Sequence, residues 1–535
     1  MRKTATWCGA LLVALTCTAC EDESSNPTIA SGLPGPQKGV YDDFGPAPEG
    51  DGFRALMGFP TRDVEGLDRA IEAMYDPSHP DFRKYMTAES WVADHGPPAG
   101  DLDVVKAWLQ GNGMSVKETA ANRLLLEFTG TVGQFNAAFE TELHKFEREN
   151  PAAGNPPVPV YGLLAELKAP PDIAAVVTGV ITADLPADTD ALPGEAGDIV
   201  AAPPEGVTDG MTPAQIAGAY DVDDLYELGF RGQGVKIGVV VGATFKFKDL
   251  QSFWRSFGVT RADPTALEMM EPVATRFLET TLDVQWAGVI APEAELIAYQ
   301  GPDARVTSIL YTWNEAIARN EVTVLTSSFA HREETEADAI RNHFNDSARM
   351  GAALGMTIVV ASGDSSRTDI PSSSPYVTAV GGTVLRLLPD GAVDAELAWS
   401  GSGSGAARTF PMPSYQEGVV LDSGGKRAVA DVALNSSTES RYWVYYLAEW
   451  ERYGGTSFAA PVFAGLMAVV NSHRQSSGLP PAGFLNPTLY RTPEVQATFR
   501  DVVEGETPYY KAAPGWDYPT GWGAPNALGL ALSLP

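Results

Sequence analysis

Cysteine is almost absent from this sequence. The 535 residues contain three cysteines, Cys8, Cys17 and Cys20, all within the first twenty positions. If that segment is removed, no internal disulfide can form. The stability of the mature chain would then come from packing and from any metal that it binds.

Positive charge is also scarce. Lys and Arg number 37 against 68 Asp and Glu, which gives a formal net charge of −31 at pH 7. A nucleic-acid partner is not expected, because such partners require a basic surface. The acidity suits a soluble extracytoplasmic protein, and it also suits a protein that works in acid, where protonated carboxyl groups repel one another less.

The chain begins with an apolar stretch that is too short to span a bilayer. Arg2 and Lys3 precede an apolar run over residues 7–19. A charged start followed by a short apolar segment is typical of a secretory signal rather than of a membrane span. We therefore predict a signal peptide at residues 1–20.

The end of this segment is similar to a bacterial lipoprotein cleavage site. Thr18-Ala19-Cys20 is followed by two acidic residues, and cleavage there would leave Cys20 as a lipidated first residue. The match departs at Cys17, where such sites usually carry Leu. Lipid anchoring through Cys20 and simple release both remain open. Either would place the mature protein outside the cytoplasm, secreted or at the cell envelope of a bacterium.

Composition and periodicity divide the rest of the chain into four segments. Residues 21–52, rich in Pro, Gly, Ser and acid, are expected to be a disordered tether. Residues 53–185 combine helical patterns with a hairpin-like strand pair, which predicts an α+β domain of ferredoxin-like kind. Residues 186–210 form a Pro- and Ala-rich linker. From residue 211 to 535 strands alternate with helices, which indicates an α/β domain with a mostly parallel sheet.

A candidate nucleophile lies in the sequence Gly454-Gly455-Thr456-Ser457. The apolar run from Val462 to Val470 predicts a buried helix, so the turn before it puts the Ser457 hydroxyl at a helix N-terminus, where backbone N–H groups and the helix dipole favour negative charge. An exposed serine on a glycine turn suits a nucleophile. A simple helix cap would use the same residues, so the hypothesis requires a base and an oxyanion donor elsewhere in the chain.

A histidine base of the subtilisin type is missing. Such enzymes carry an Asp at the end of the first strand and a His followed by Gly-Thr, whereas the first strand here ends in residues 240–244 without an Asp. Beyond the linker the histidines are His331, His343 and His473, and none is followed by Gly. We expect all three to be surface residues.

Two carboxylates offer an alternative base. Glu279 and Asp283 are spaced i,i+4 in a predicted helix, so they lie on one helix face. Two close acids that share a proton have one strongly raised pKa, as in many acid/base pairs. An isolated pair with this spacing is most simply an acidic surface. The apolar neighbours of this pair, however, indicate a helix that is not freely solvated.

A third carboxylate follows a predicted buried strand. Asp364 comes after residues 357–361 and a Ser-Gly pair, at the end of a sheet where ligands collect. A protonated Asp at this place could donate a hydrogen bond to a tetrahedral oxyanion. A turn former or helix cap is the simpler alternative.

Together these motifs resemble those of the sedolisins, the serine-carboxyl peptidases. Residues 53–535 carry prodomain-like motifs, Glu279-x-x-x-Asp283, Ser-Gly-Asp364, a Ser-rich strand entry at 373–383, Gly-Gly-Thr-Ser457 and a C-terminal Phe-Arg-Asp-Val, in that order. The resemblance implies a subtilisin-like catalytic domain behind an activation prodomain. It also implies acid endopeptidase or tripeptidyl-peptidase activity on peptide or protein substrates.

The resemblance further implies a role for each candidate residue. Ser457 would be the nucleophile, Glu279 its base, and Asp283 would orient Glu279. Asp364 would be the protonated oxyanion donor, which confines activity to acid pH. The prodomain would act as an intramolecular inhibitor until acid triggers cleavage within about residues 184–212. The sequence carries no indication of an oligomer, and a monomer is expected.

The C-terminal motif is similar to the family's calcium site. One Ca²⁺ would be held by a cage of hard oxygen ligands, supplied by the carboxylates of Asp501 and Asp517, the carbonyls of Val502, Ala513 and Gly515, and water. A Gly- and Pro-rich loop that binds nothing is the simpler interpretation, and the resemblance favours calcium.

A few positions depart from the family pattern without removing a reactive group. Leu278, Ser366 and Ala513 stand where Gly is usual, and the strand end at residues 327–330 lacks the common Gly. Three functions stay open: an acid serine-carboxyl peptidase made as a precursor, a catalytically silent surface binding protein on the same fold, and a neutral histidine-dependent subtilase.

Overall fold

A computed structural model describes residues 26–35, 41–148, 158–184, 203, 210–270 and 278–535. The predicted signal peptide and most of the predicted linker lie outside these residues. Within the described ranges, no helix combines the length and the apolar character needed to cross a membrane.

The N-terminal domain alternates short helices and strands. Its helices are α1 (Val64–Met74), α2 (Ala88–Asp94), α3 (Ala99–Gly111), α4 (Val132–Phe139) and α5 (Pro171–Ala174). Its strands are β1 (Thr28–Ile29), β2 (Tyr41–Pro46), β3 (Gly52–Gly58), β4 (Ser115–Thr119), β5 (Leu125–Thr131), β6 (Leu143–Arg148), β7 (Val158–Leu163), β8 (Leu167–Lys168) and β9 (Gly179–Asp184).

The main sheet of this domain has the strand order β4-β5-β3-β9, with antiparallel neighbours. Counted along the chain these strands are 2-3-1-4 of a βαββαβ unit, with helices after the first and third strands. This is the ferredoxin-like arrangement, so the predicted α+β fold is confirmed. The helix α4 begins with a capping box between Thr131 and Gln134.

The segment predicted to be a disordered tether is partly ordered. Strand β1 pairs antiparallel with β8, and β2 pairs antiparallel with β6. The prediction for residues 21–52 is therefore wrong over these two strands. Composition alone gave the wrong prediction, because hydrogen bonds to a neighbouring strand satisfy the backbone N–H and C=O groups even of a largely polar segment.

The C-terminal domain is an α/β unit. Its helices are α6 (Pro213–Ala219), α7 (Val222–Glu227), α8 (Phe247–Ser256), α9 (Leu278–Ile290), α10 (Val306–Arg319), α11 (Asp338–Ala353), α12 (Thr456–Ser476), α13 (Asn486–Arg491), α14 (Pro493–Gln496) and α15 (Ala527–Ser533). Its strands are β10 (Gly210–Met211), β11 (Lys236–Val241), β12 (Thr265–Glu268), β13 (Glu295–Gln300), β14 (Val324–Ser327), β15 (His331–Arg332), β16 (Thr357–Ala361), β17 (Asp369–Ile370), β18 (Thr378–Leu387), β19 (Val393–Ala398), β20 (Gly405–Pro411), β21 (Lys426–Val429), β22 (Val432–Asn435), β23 (Arg441–Tyr446) and β24 (Glu449–Tyr453).

The central sheet of this domain is mostly parallel, as predicted. Its strand order is β12-β13-β11-β14-β16-β18-β19, with β22 also paired to β18, and only β18 and β19 run antiparallel within it. The helices α9 and α12 pack against each other, and both contact the sheet. Strands β14 and β16 are neighbours, so the loops that follow their carboxyl ends lie side by side.

The two domains share a hydrophobic core. Leu67, Ile71 and Trp91 of the N-terminal domain pack into the same cluster of buried residues as the helices of the C-terminal domain. Polar contacts also join them: Asn122 and Asn314, both fully buried, exchange amide hydrogen bonds of 2.8 and 3.1 Å. The interface therefore has the packing of a protein interior.

Candidate active site

Ser457 lies in the first turn of α12, as predicted. Gly455, the residue before the helix, has a φ of 147°, which favours glycine. A Cβ atom on Gly455 would lie 2.8 Å from Oδ2 of Asp364. Glycine at this turn therefore allows the helix start to approach Asp364 closely. Ser457 itself is partly exposed, so a substrate can reach it.

Glu279 and Asp283 lie one turn apart on α9, which packs against α12. Ser457 donates a side-chain hydrogen bond to Glu279. Burial raises the pKa of Glu279 to about 7; the bond from Ser457 opposes this rise and the charge of Asp364 adds to it. Burial, and after it the charge of Glu279, raises the pKa of Asp283 well above its ordinary value.

The two acids interact electrostatically, since the charge of Glu279 raises the pKa of Asp283. Oε1 of Glu279 and Oδ2 of Asp283 are buried and have no hydrogen-bond partner among the described residues. Two buried carboxylates this close cannot both be charged. Asp283 is fully buried whereas Glu279 is partly exposed. Asp283 therefore retains the proton more strongly, and Glu279 is the acid that can accept a proton from Ser457.

Ser328 fixes the position of the inner acid. It follows strand β14, and its hydroxyl lies 2.6 Å from Oδ1 of Asp283 and 3.2 Å from the carbonyl oxygen of Ser457. The bond to Asp283 lowers the pKa of that group against the effect of burial. The sequence showed only that this strand end is rich in serine, and sequence analysis did not identify Ser328 as a site residue.

Asp364 lies at the entrance to the same site. Its Oδ1 accepts hydrogen bonds of 2.8 Å from both the backbone N–H and the hydroxyl of Thr456, the residue before Ser457. The surrounding protein raises the pKa of Asp364 by desolvation, and the two bonds from Thr456 oppose this rise. Because both bonds go to Oδ1 and the residue is exposed, Oδ2 is the oxygen that can carry a proton toward solvent or substrate.

The prediction that all three histidines beyond the linker are surface residues is wrong for His343. His343 is buried on α11, and its Nε2 lies 2.8 Å from the hydroxyl of Thr178 in the N-terminal domain. Burial lowers the pKa of His343 to about 4. Periodicity could not reveal this, because the face of α11 that carries His343 is covered by a domain distant in sequence. His331 and His473 are partly exposed.

The residues of the predicted calcium site are close together. Oδ2 of Asp501 accepts a hydrogen bond of 2.9 Å from the N–H of Gly515, and Oδ2 of Asp517 accepts one of 2.8 Å from Ala513. Burial chiefly, and to a small extent the charge of Asp501, raises the pKa of Asp517 to about 6. Ala513 does not have a positive φ, so its replacement of glycine brings no backbone strain.

These features define a class of protein. A subtilisin-like sheet carries an accessible serine at the start of a buried helix, with carboxylates within reach of it. A separately folded α+β domain precedes this sheet and packs against it. The chain is a serine peptidase with an N-terminal prodomain.

Comparison with known proteins identifies the family. A model of the pro-kumamolisin activation domain matches residues 42–184, and a model of the subtilase family matches residues 273–523. Kumamolisin of Bacillus sp. (strain MN-32) is 28% identical over 499 residues, covering 85% of this chain and 87% of that protein. Tripeptidyl-peptidase 1 of Canis lupus familiaris is 27% identical over 526 residues, covering 88% and 90%.

A solved structure agrees with these matches. Pseudomonas sedolisin, described as a serine-carboxyl proteinase in complex with two molecules of pseudo-iodotyrostatin, is 26% identical to this chain, with a TM-score of 0.54. The alignment covers 61% of this chain and 98% of that structure. The chain belongs to the sedolisin family of serine peptidases.

Proposed function

We propose that this protein is an acid-active serine-carboxyl endopeptidase made as a self-inhibited precursor. Ser457 attacks the scissile carbonyl, forms an acyl-enzyme and is released by water. Glu279 accepts the proton of Ser457 and returns it to the leaving amine, and Asp283 orients Glu279. The observation that carries the proposal is the hydrogen bond from Ser457 to Glu279, because a nucleophile bonded to a base is what such catalysis requires.

The raised pKa of Asp364 supports activity in acid. A protonated Asp364 can donate a hydrogen bond to the oxyanion, and its raised pKa extends the protonated form to higher pH. As pH rises through that pKa, the donor is lost and a negative charge faces the oxyanion. General-base help is worth roughly 10² to 10⁴ in rate, and one oxyanion donor roughly 10² to 10³. Activity should therefore fall on the neutral side.

A maturation assay tests this proposal. Residues 21–535 are expressed at neutral pH and shifted to about pH 4, and intact mass is followed together with digestion of denatured protein. We expect the parent to lose a fragment of prodomain size and become active, whereas Ser457→Ala and Glu279→Gln remain intact. Glu295→Gln, an exposed acid on β13, is the matched control and should mature like the parent.

Two results would change the proposal. A parent chain that stays intact and inactive at acid pH would contradict it, and the silent binding protein would then be the better hypothesis. Sequential removal of three residues from the amino terminus of peptides, without internal cleavage, would assign a tripeptidyl-peptidase instead. The identities to kumamolisin and to tripeptidyl-peptidase 1 are nearly equal, so product analysis has to decide between them.

The prodomain is proposed to be the inhibitor of its own peptidase domain. The shared core and the buried Asn122–Asn314 pair support this, because an interface of this kind keeps the two domains together. Cleavage is proposed within about residues 184–212, which overlap the predicted linker. The new amino terminus found in the maturation assay would locate the cleaved bond.

A structural Ca²⁺ is proposed at the C-terminal loop. Asp501 and Asp517 would supply carboxylates, and Val502, Ala513 and Gly515 carbonyl oxygens. The bound ion would neutralise both acids and link two loops. No group of three or more Asp, Glu, His or Cys suited to a metal occurs in the part of the chain that the structure describes, so carbonyl oxygens would have to complete the coordination.

Thermal unfolding in excess Ca²⁺ and in EGTA tests the calcium site. Calcium at 100 times its dissociation constant would stabilise the fold by about 2.7 kcal/mol. The melting temperature should fall in EGTA for the parent and should not respond to calcium in Asp517→Asn. Asp394→Asn, an exposed acid on β19, should respond as the parent does. A parent whose melting temperature ignores calcium would contradict the proposal.

Export is proposed from the sequence alone. The amino-terminal residues fit a bacterial signal peptide, and Cys20 fits a lipidated first residue. Cell fractionation with mass analysis of the mature amino terminus would distinguish a lipid-anchored Cys20 from a released chain. An uncleaved chain in the cytoplasm would contradict both.

A further inference from the structure

A cavity of about 360 Å³ opens near the turn that carries Asp364. The arginines Arg332, Arg367 and Arg408 contribute to its wall, and Glu334 is the one acidic residue among the described residues that line it. Such a concentration of positive charge is unusual in a chain with a net charge of −31.

Glu334 cannot neutralise three guanidinium groups. Its carboxylate lies 2.8 Å from Arg367, 3.6 Å from Arg408 and 4.0 Å from Arg332. All three arginine side chains are also well exposed, between 43% and 61%. The charged side chains of the described lining are therefore three arginines against one glutamate, which leaves an excess of positive charge at the cavity.

Two further acids lie behind the wall. Glu333 is buried, and its Oε1 accepts hydrogen bonds from the backbone N–H groups of Arg408 and Thr409. Asp369 is buried, and burial is the main cause that raises its pKa to about 7. Asp369 is therefore uncharged in acid and does not offset the arginines under those conditions.

A buried hydroxyl also belongs to the cavity lining. Ser404 is only 2% exposed, and its Oγ has no hydrogen-bond partner among the described residues. A buried hydroxyl without a partner costs free energy unless a ligand or water satisfies it. Together with the guanidinium groups, it gives the cavity the donors that a carboxylate accepts.

Part of the wall of the cavity is formed by residues that follow the Asp364 turn in the chain or are hydrogen-bonded to it. Residues 366–368 form part of its wall and follow Asp364 closely in the chain. The wall also includes residues 404–406, and Gly403 just before them donates a backbone hydrogen bond of 2.8 Å to the carbonyl of Gly363. A peptide whose scissile carbonyl faces Asp364 would therefore place a neighbouring side chain at this cavity.

We propose that Arg332, Arg367, Arg408 and Ser404 form a substrate subsite that takes an acidic side chain close to the scissile bond. The inference rests on the proposed endopeptidase function. Arginine suits this task because its planar fork pairs with a carboxylate through two hydrogen bonds. The linker of the same chain is a matching substrate, since residues 185–209 contain six Asp or Glu and no Lys, Arg or His.

Peptide pairs that differ by one charge test the subsite. Acid-matured enzyme from the full chain is given quenched fluorescent peptides with Glu, Gln or Lys at each of three residues on either side of the scissile bond. At pH 5 we expect kcat/KM to favour Glu over Gln by about tenfold at one position, the size expected for a hydrogen bond between charged groups. At pH 3 the preference should shrink, because a Glu side chain has an ordinary pKa of about 4.3.

Variants of Arg367 test whether the cavity sets the preference for Glu. Arg367→Gln should reduce the Glu preference to about twofold, and Arg367→Glu should make Lys the preferred residue at the same position. Arg386→Gln, which removes an exposed arginine outside the cavity lining, should keep the parent preference. All three variants should fold, since the altered side chains are exposed. Arg367→Gln and Arg367→Glu should mature more slowly than Arg386→Gln, because the linker that has to be cleaved is acidic.

The outcomes separate this inference from the proposed function. If the parent cleaves none of the peptides at any pH, the endopeptidase proposal fails. If the parent cleaves them with equal kcat/KM for Glu and Gln at every position, the peptidase stands and the subsite is refuted. A Glu preference that survives in Arg367→Gln and Arg367→Glu would also refute it.

Discussion

Replacement of His343 by Gln should slow acid maturation, because His343 couples prodomain binding to pH. The imidazole is 2% exposed and lies against Gly58 and Thr178 of the prodomain. A Cβ atom on Gly58 would lie 2.4 Å from its Nε2, so the glycine is what allows this close approach. Burial alone lowers the pKa of His343 from 6.5 to about 4.

The sign of the effect follows from this lowered pKa. A neutral His343 is favoured in the complex, so its contribution to prodomain binding is complete above pH 6.5 and decreases as pH falls toward 4. If prodomain release returns the ring to water and to its ordinary pKa, protonation at pH 5 weakens the complex by about 2 kcal/mol, a factor of about 30. At pH 6.5 the same calculation gives a factor of about two.

The assay compares the rate of prodomain loss in His343→Gln with that in the parent at the same pH. Because both proteins are measured at one pH, the pH dependence of catalysis cancels in the ratio of the two rates. The amide introduced by His343→Gln would keep a polar group near Thr178 but could not be protonated. If release precedes cleavage in a rapid equilibrium, His343→Gln should mature about 30-fold more slowly than the parent at pH 5 and about twofold more slowly at pH 6.5. His473→Gln is the control. Equal rates for His343→Gln and the parent at pH 5 would refute the reasoning.

Two further changes test the arrangement of the site. Ser328→Ala removes the hydrogen bond to Asp283, so the pKa of the acid pair should rise, and the acid limb of the pH profile of kcat/KM should move up by about one pH unit. Ser328→Thr keeps a hydroxyl and should restore the parent profile. An unshifted acid limb in Ser328→Ala would exclude a role of Ser328 in setting the pKa of the pair. Gly455→Ala places a methyl group 2.8 Å from Oδ2 of Asp364 and should lower kcat by roughly 10² to 10³, the scale of one oxyanion donor. Gly478→Ala at the other end of α12 has a φ of 71° with nothing within 4 Å of the new Cβ, so it should cost stability of roughly 1–2 kcal/mol and leave kcat unchanged. Equal kcat values for the two glycine variants would show that contact with Asp364 is unimportant.

Local patterns determined much of the candidate site. The predicted helix that carries Glu279 and Asp283 is present as Leu278–Ile290 in the structure, and its i,i+4 spacing put both acids on one face. The glycine turn likewise placed Ser457 in the first turn of a buried helix. These predictions succeed because periodicity, capping and turn chemistry act over a few residues, and the chain carries that information locally.

The sequence by itself therefore determined the order of the two domains, the mostly parallel sheet and the motifs of the family. Only the tertiary structure decided the ordered strands β1 and β2, the burial of His343 and the contact of Ser328 with Asp283. It alone brought Arg332, Arg367 and Arg408 to one cavity. These features depend on pairing between segments far apart in the chain, and neither composition nor periodicity encodes which distant surface will cover a given side chain.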